Sequence, residues 1–139
     1  MTTLATSDPG FWNHPGITFK GFFTDENPTL AQRLVDDFLL WQEPPGIRKS
    51  FRERLLAVQI TSLFGREKIL EWFINYAGYG NYTVGAAAAS KAYLNKDAGK
   101  LTLTEAAIIA ATAEAPLLNP WDAPKVASER GQKIVQSMI

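Results

Sequence analysis

The sequence has no cysteine and a single histidine, His14. These scarcities exclude disulfide staples, thiolate metal sites and a histidine-rich metal centre. Neither sign of charge is in excess: 14 Lys and Arg balance 14 Asp and Glu. The chain therefore lacks the basic field that holds a polyphosphate backbone, and no nucleic-acid partner is expected. The opening residues, MTTLATSDPG, supply neither a basic segment followed by an apolar run nor a span long enough to cross a bilayer. As given, the chain is expected to be soluble or peripheral, without a transmembrane anchor.

What is present is ordinary globular material. The chain has 139 residues, 46% of them hydrophobic and 20% charged, which suits one domain over 1–139 with a single core. The first 28 residues mix Pro9, Gly10, Pro15, Gly16 and Pro28 with Phe11, Trp12, Phe19, Phe22 and Phe23, a structured aromatic loop region. Asn27 before Pro28 predicts a helix start, with Leu30, Leu34, Phe38 and Trp41 at helical spacing. Pro44, Pro45 and Gly46 break that helix. Ile47, Phe51, Leu55, Val58 and Leu63 predict the core face of the next. A further helix is predicted over roughly Arg66 to Tyr76. A bend at Gly78 and Gly80 then leads to an alanine helix from about Val84 to Tyr93, whose small side chains suit close packing. Thr102 and Glu105 form a capping box that opens a helix through Ala113, ended by Pro116 and Pro120. Asp122 is the expected cap of the last helix, with Val126, Ile134, Val135 and Met138 inward. No strand-like alternation persists, so the fold class is all-α.

The order of residue types over 66–96, REKILEWFINYAGYGNYTVGAAAASKAYLNK, is more specific than helical periodicity. Arg66, Ile69, Leu70, Phe73, Ile74, Asn75, Gly80, Gly85, the alanine run, Tyr93 and Lys96 fall in the order found in the peptidoglycan glycosyltransferases. These are the lysozyme-like transglycosylase domains of class A penicillin-binding proteins and monofunctional transglycosylases, and this chain resembles them along essentially its whole length. Leu94 and Asn95 stand where that family has Phe-Gly. The likeness continues through Leu103-Thr104-Glu105-Ala106-Ala107, Ala115-Pro116, Asn119-Pro120, Arg130 and Met138.

The resemblance implies a lysozyme-like all-α fold and polymerisation of a lipid-linked disaccharide (lipid II) into glycan strands. It also implies a place on the outer face of the bacterial cytoplasmic membrane, with the lipid-linked disaccharide pyrophosphate, the growing glycan strand and the membrane surface as partners. Inverting transfer to a sugar hydroxyl needs a base for the acceptor proton and cations for the departing diphosphate. In the family the base is a Glu opening a motif that continues Asp, two variable residues, Phe, two variable, His, one variable, Gly. Here the segment is Ser7-Asp8-Pro9-Gly10-Phe11-Trp12-Asn13-His14-Pro15-Gly16. Every fixed position matches except the first, where Ser7 stands for the catalytic Glu. A serine hydroxyl is a poor base without an activating partner. Asp8 is the adjacent carboxylate, and Asp8 and His14 read equally as a hydrogen-bonded loop pair or as substrate contacts.

The family's second segment corresponds to Asn27-Pro28-Thr29-Leu30-Ala31-Gln32-Arg33-Leu34, with Thr29, Gln32 and Arg33 as candidate substrate contacts. The stretch from Gly16 to Pro28 is shorter than in typical members, where it lies near the membrane. Phe19, Phe22 and Phe23 have two uses open, core burial and, less favoured, a bilayer surface. The third segment, Ile47 to Gln59, resembles the family's basic motif ending in a second functional Glu, here Glu53. Lys49 and Glu53 share a helix face, with Arg48 and Arg52 in a parallel row. Such a cluster can hold a diphosphate directly or through a divalent cation, Mg or Mn, on Glu53. A solvated charged face is the plain alternative. At the level of function, a non-catalytic module binding precursor or glycan, a helical interaction domain and a glycan hydrolase stay open beside the glycosyltransferase.

Overall fold

The computed structural model describes residues 2–18 and 27–139. Phe19, Phe22 and Phe23 lie outside the described residues. Among these there are seven α-helices: α1 (Thr2–Ser7), α2 (Leu30–Phe38), α3 (Ile47–Phe64), α4 (Arg66–Tyr76), α5 (Ala86–Leu94), α6 (Leu103–Glu114) and α7 (Pro124–Ser137). Short 3₁₀ turns occupy Ala98–Lys100 and Pro116–Leu118. The only β-pairing among the described residues is one antiparallel bridge between Gly78 and Val84. The fold class is all-α and lysozyme-like, as the sequence predicts. The chain divides into two compact units, Ser7–Phe73 and Met1–Thr6 with Ile74–Ile139.

In the Ser7–Phe73 unit, α2 is capped by Thr29 rather than at Asn27. Thr29 Oγ1 accepts from the Gln32 N–H while the Gln32 side chain accepts from the Thr29 N–H, a capping box that satisfies two orphan donors. Asn27 instead takes a positive φ of 52°. Leu30, Leu34 and Val35 are buried, whereas Phe38 and Trp41 are exposed, so the predicted stripe ends earlier than its spacing implied.

Helix α3 buries a face about a quarter turn round from the one its large apolar residues predict. Arg54, Ala57 and Thr61 are inside, while Ile47 is 92% exposed and Phe51, Leu55 and Leu63 are also out. The cause is a close approach by the loop at Gly16. A Cβ there would lie 2.5 Å from the Ala57 carbonyl oxygen and 2.6 Å from Thr61 Oγ1, and Gly16 holds a φ of +110°. Small side chains at Ala57 and Thr61 leave room for that backbone, so at these two positions small size outranks hydrophobicity.

In the other unit the capping box of Thr102 and Glu105 opens α6 as predicted. Lys96 Nζ meets Glu105 Oε1 at 2.5 Å. That bond, aided by the Thr102 N–H, holds the Glu105 carboxyl down at about 2. Ala107, Ala111 and Ile134 form a core cluster against which Val135 and Met138 pack. Val126, predicted inward, is exposed. Asp122 does not cap α7, whose N-cap is Ala123 without a side-chain bond and whose first turn contains Pro.

Gly131 sets the spacing of α7 against α6. A Cβ there would sit 2.5 Å from Ile108 Cγ1 and 3.1 Å from the Ile108 backbone nitrogen. Alanine gains about 1 kcal/mol of helix propensity, but overpacking against backbone costs about 1–3 kcal/mol. Gly131→Ala is therefore expected to lower stability by up to about 2 kcal/mol in urea titration. A neutral or stabilising result would show that the two helices have slack to separate.

Candidate functional site

The three family-like segments of the Ser7–Phe73 unit are tied together by one hydrogen-bond relay. Asp8 Oδ1 is 2.8 Å from His14 Nε2, and Asp8 Oδ2 accepts from the Leu30 N–H at 3.3 Å. The Gly16 N–H donates to His14 Nδ1 at 3.2 Å. Nδ1 therefore carries no hydrogen, and Nε2 is the donor to Asp8. Thr29 Oγ1 donates to the Gly16 carbonyl at 2.5 Å. Gln32 Nε2 then donates to Glu53 Oε1 at 3.0 Å on α3. Asp8, His14, Thr29, Gln32 and Glu53, which are separated by up to 45 residues of chain, thus share one network.

Most of that network is spent on structure. Asp8 is 4% exposed and Gln32 3% exposed, and each uses both functional ends on internal partners. Arg66 donates twice to the His14 carbonyl, at 3.1 and 2.8 Å, fixing the same loop from α4. The sequence reading used Arg66 only as a resemblance marker; its role needs His14, 52 residues away. The Arg33 guanidinium lies over the Phe73 ring at 5.0 Å from its centroid, a cation–π contact.

The predicted cationic row is divided. Lys49 pairs with Asp36 and Arg52 with Glu43, so the nearest anions of these two cations are not Glu53. Burial, and then the adjacent Asp36 carboxylate, push the Asp37 carboxyl upward. Arg48 is exposed and makes no ion pair among the described residues. It borders a depression of about 380 Å³ lined by residues 43–49. At its edge α3 begins at Gly46 without a side-chain cap, so the first-turn N–H groups of this helix add partial positive charge.

Ser7 closes α1, half-buried and next to Asp8. Among the described residues no group of three His, Asp or Glu converges on a metal position. Glu53, engaged by Gln32, has the chemistry to give a divalent cation one carboxylate oxygen. The remaining positions would fall to water and substrate phosphate, a division common for Mg²⁺.

The transglycosylase family model matches residues 1–139. Penicillin-binding protein 1A of Rickettsia felis is 35% identical over 133 residues, covering 84% of this chain and 17% of that protein. Penicillin-binding protein 1A of Haemophilus influenzae is 34% identical over 151 residues, covering 98% of this chain and 17% of that protein. The biosynthetic peptidoglycan transglycosylase of Shewanella amazonensis is 33% identical over 132 residues, covering 87% of this chain and 52% of that protein. The chain thus spans about half or less of these relatives. With a family match over the whole chain and the three motif segments joined in one relay, the chain belongs to the transglycosylase family.

Proposed function

We propose that this chain is a peptidoglycan glycosyltransferase domain that binds an undecaprenyl-diphosphate-linked disaccharide through the start of α3, and whose glycan polymerisation is held back by Ser7. The observation that carries the reading is the relay from Asp8 through His14, Thr29 and Gln32 to Glu53. It fixes the segment bearing Ser7 relative to the segment bearing the cations, and a transferase needs that registry between base and leaving group. Arg48 and the uncapped first turn of α3 are the diphosphate-binding groups, with Lys49, Arg52 and Arg33 as supporting positive charge. A divalent cation, Mg or Mn, on Glu53 would screen the same diphosphate.

The exposed Ile47, Phe51 and Leu55 beside Arg48 and Arg52 support contact with an anionic bilayer surface, where apolar insertion and basic side chains reinforce each other. No helix among the described residues is long and apolar enough to cross a membrane. Membership of the transglycosylase family, rather than this contact, supports the outer face of the cytoplasmic membrane as the place of action, where the growing glycan strand is the second substrate.

A second reading, a non-catalytic module that holds precursor or glycan, is favoured by the state of Asp8. Its carboxylate is buried with both oxygens bonded and so cannot replace the missing base. The glycosyltransferase reading requires precursor binding. Arg48→Ala is expected to weaken binding of fluorescent lipid-linked precursor in detergent about tenfold, the scale of one charge-assisted contact. Unchanged affinity in the folded variant would sink diphosphate binding through the start of α3, and no binding by the unaltered chain would sink the glycosyltransferase reading.

A further inference from the structure

The chain at Gly78–Val84 doubles back in a tight hairpin. Tyr79 N–H donates to the Thr83 carbonyl, and Thr83 N–H to the Gly80 carbonyl, each at 2.8 Å. Its two central residues, Asn81 and Tyr82, have φ of 47° and 57°, the pattern of a type I′ turn, which favours Asn followed by Gly. A bulky side chain at positive φ is strained, and Tyr82 is fully exposed. Folding gives no reason for a tyrosine there, and glycine would relieve the turn.

The same end of this unit presents a second ring. Trp121 is 58% exposed, although its ring is braced edge-to-face by Tyr93 at 5.0 Å and its backbone N–H donates to Asn119 Oδ1 at 3.0 Å. Between the two aromatic positions, Asp122 Oδ2 accepts from Asn119 Nδ2 at 2.6 Å and from Asn81 Nδ2 at 3.3 Å. The latter bond ties the hairpin to the Trp121 turn across 41 residues of sequence. Asn119 itself is buried and also donates to the Pro116 carbonyl. Both bonds to Asp122 from described residues fall on Oδ2, which leaves Oδ1 for an external donor.

We infer that Tyr82, Trp121, Asn81 and Asp122 form an auxiliary binding site for a neutral β-linked amino-sugar strand. Pyranose rings present flat C–H faces that stack on aromatic rings, flanked by hydroxyl and acetamido groups that suit a carboxylate and an amide. A carboxylate between the two rings disfavours phosphate and anionic lipid, which selects the neutral glycan over the diphosphate-linked precursor. The choice of glycan over other neutral polyols rests on the proposed glycosyltransferase reading. The site would hold strand that has already been made.

The test is titration of the whole chain with a soluble β-1,4-linked N-acetylglucosamine oligosaccharide, followed by calorimetry and by NMR, with an α-linked glucan as control. Trp121→Ala and Tyr82→Gly are each expected to lower affinity tenfold or more. Tyr82→Gly is expected to do so while raising the melting temperature, which a purely structural tyrosine would not combine. Arg48→Ala should leave this binding unchanged, because the probe lacks diphosphate and lipid. Failure of precursor binding with persistent Trp121-dependent oligosaccharide binding would overturn the proposed function and leave this site standing. The inference is overturned if the unaltered chain does not bind the oligosaccharide, if Tyr82→Gly binds it as well as the unaltered chain does, or if Arg48→Ala rather than Trp121→Ala abolishes binding.

Discussion

Ser7→Glu is expected to raise glycan polymerisation from lipid-linked precursor by about 10²–10⁴-fold, the contribution of a positioned general base. The step needs a group that takes the acceptor hydroxyl proton as the new glycosidic bond forms. A serine hydroxyl is a poor base near neutral pH unless a second base activates it. The chain has one histidine, His14, and its two ring nitrogens face Asp8 and the Gly16 N–H. Position 7 closes α1, where the partial negative charge of a helix C-terminus nudges a new carboxyl upward towards the range useful for a base. Ser7→Gln matches the size of the introduced side chain without its basicity and should stay silent. Labelled precursor separated from polymer on a gel gives the readout. Equal rates for the unaltered chain and the Glu variant would mean that another group takes the proton. A Glu variant that binds precursor but makes no polymer would place the defect elsewhere and favour the non-catalytic module.

How far the sequence carries depends on whether a feature is local. The capping box at Thr102 and Glu105 was legible because both partners lie within one turn, and α6 starts where it predicts. The same pattern at Thr29 and Gln32 was overshadowed by Asn27-Pro28, a plausible start two residues earlier. Only the bond from Thr29 Oγ1 to the Gly16 carbonyl selects the later one. The rotation of α3 away from its predicted face was not legible at all. Spacing favours the face of Ile47, Phe51 and Leu55, and the decisive contact is made by a glycine some forty residues away. Asp122 looked like a helix cap because it precedes Pro124, but its carboxylate answers to Asn81, which sequence proximity does not reveal.

The candidate site follows the same division. Asp8 and His14 were recognisable as partners from the motif they share, and the structure bonds them. Whether they support the loop or meet substrate was open, and the Leu30 N–H on Asp8 Oδ2 weights the geometry towards support. Lys49 was paired with Glu53 by its spacing of four, yet Asp36 takes it from α2. Competition from a neighbouring helix is invisible to a rule that counts along one helix.

Replacing Asp8 should therefore appear first as lost stability. Asp8→Ala leaves the His14 Nε2–H and the Leu30 N–H unpaired in a buried setting. Hydrogen bonds to a charged group are each worth about 1.5–3 kcal/mol, so the expected loss is about 3–6 kcal/mol. Against a total of about 5–15 kcal/mol, that is enough to unfold a marginal domain near body temperature. Asp8→Asn separates the contributions. Its one carbonyl oxygen can serve either His14 or Leu30, and its amide then faces the other donor. His14 cannot switch tautomer to help, because the Gly16 N–H already occupies Nδ1. About half the loss is expected for Asn, measured by urea titration of both variants at neutral pH. The rival role makes the opposite prediction: if Asp8 were the surrogate base, Asp8→Asn would abolish polymerisation at little cost in stability. Asp8 is 4% exposed with each oxygen already bonded to an internal donor, so stability is the quantity that its removal should change.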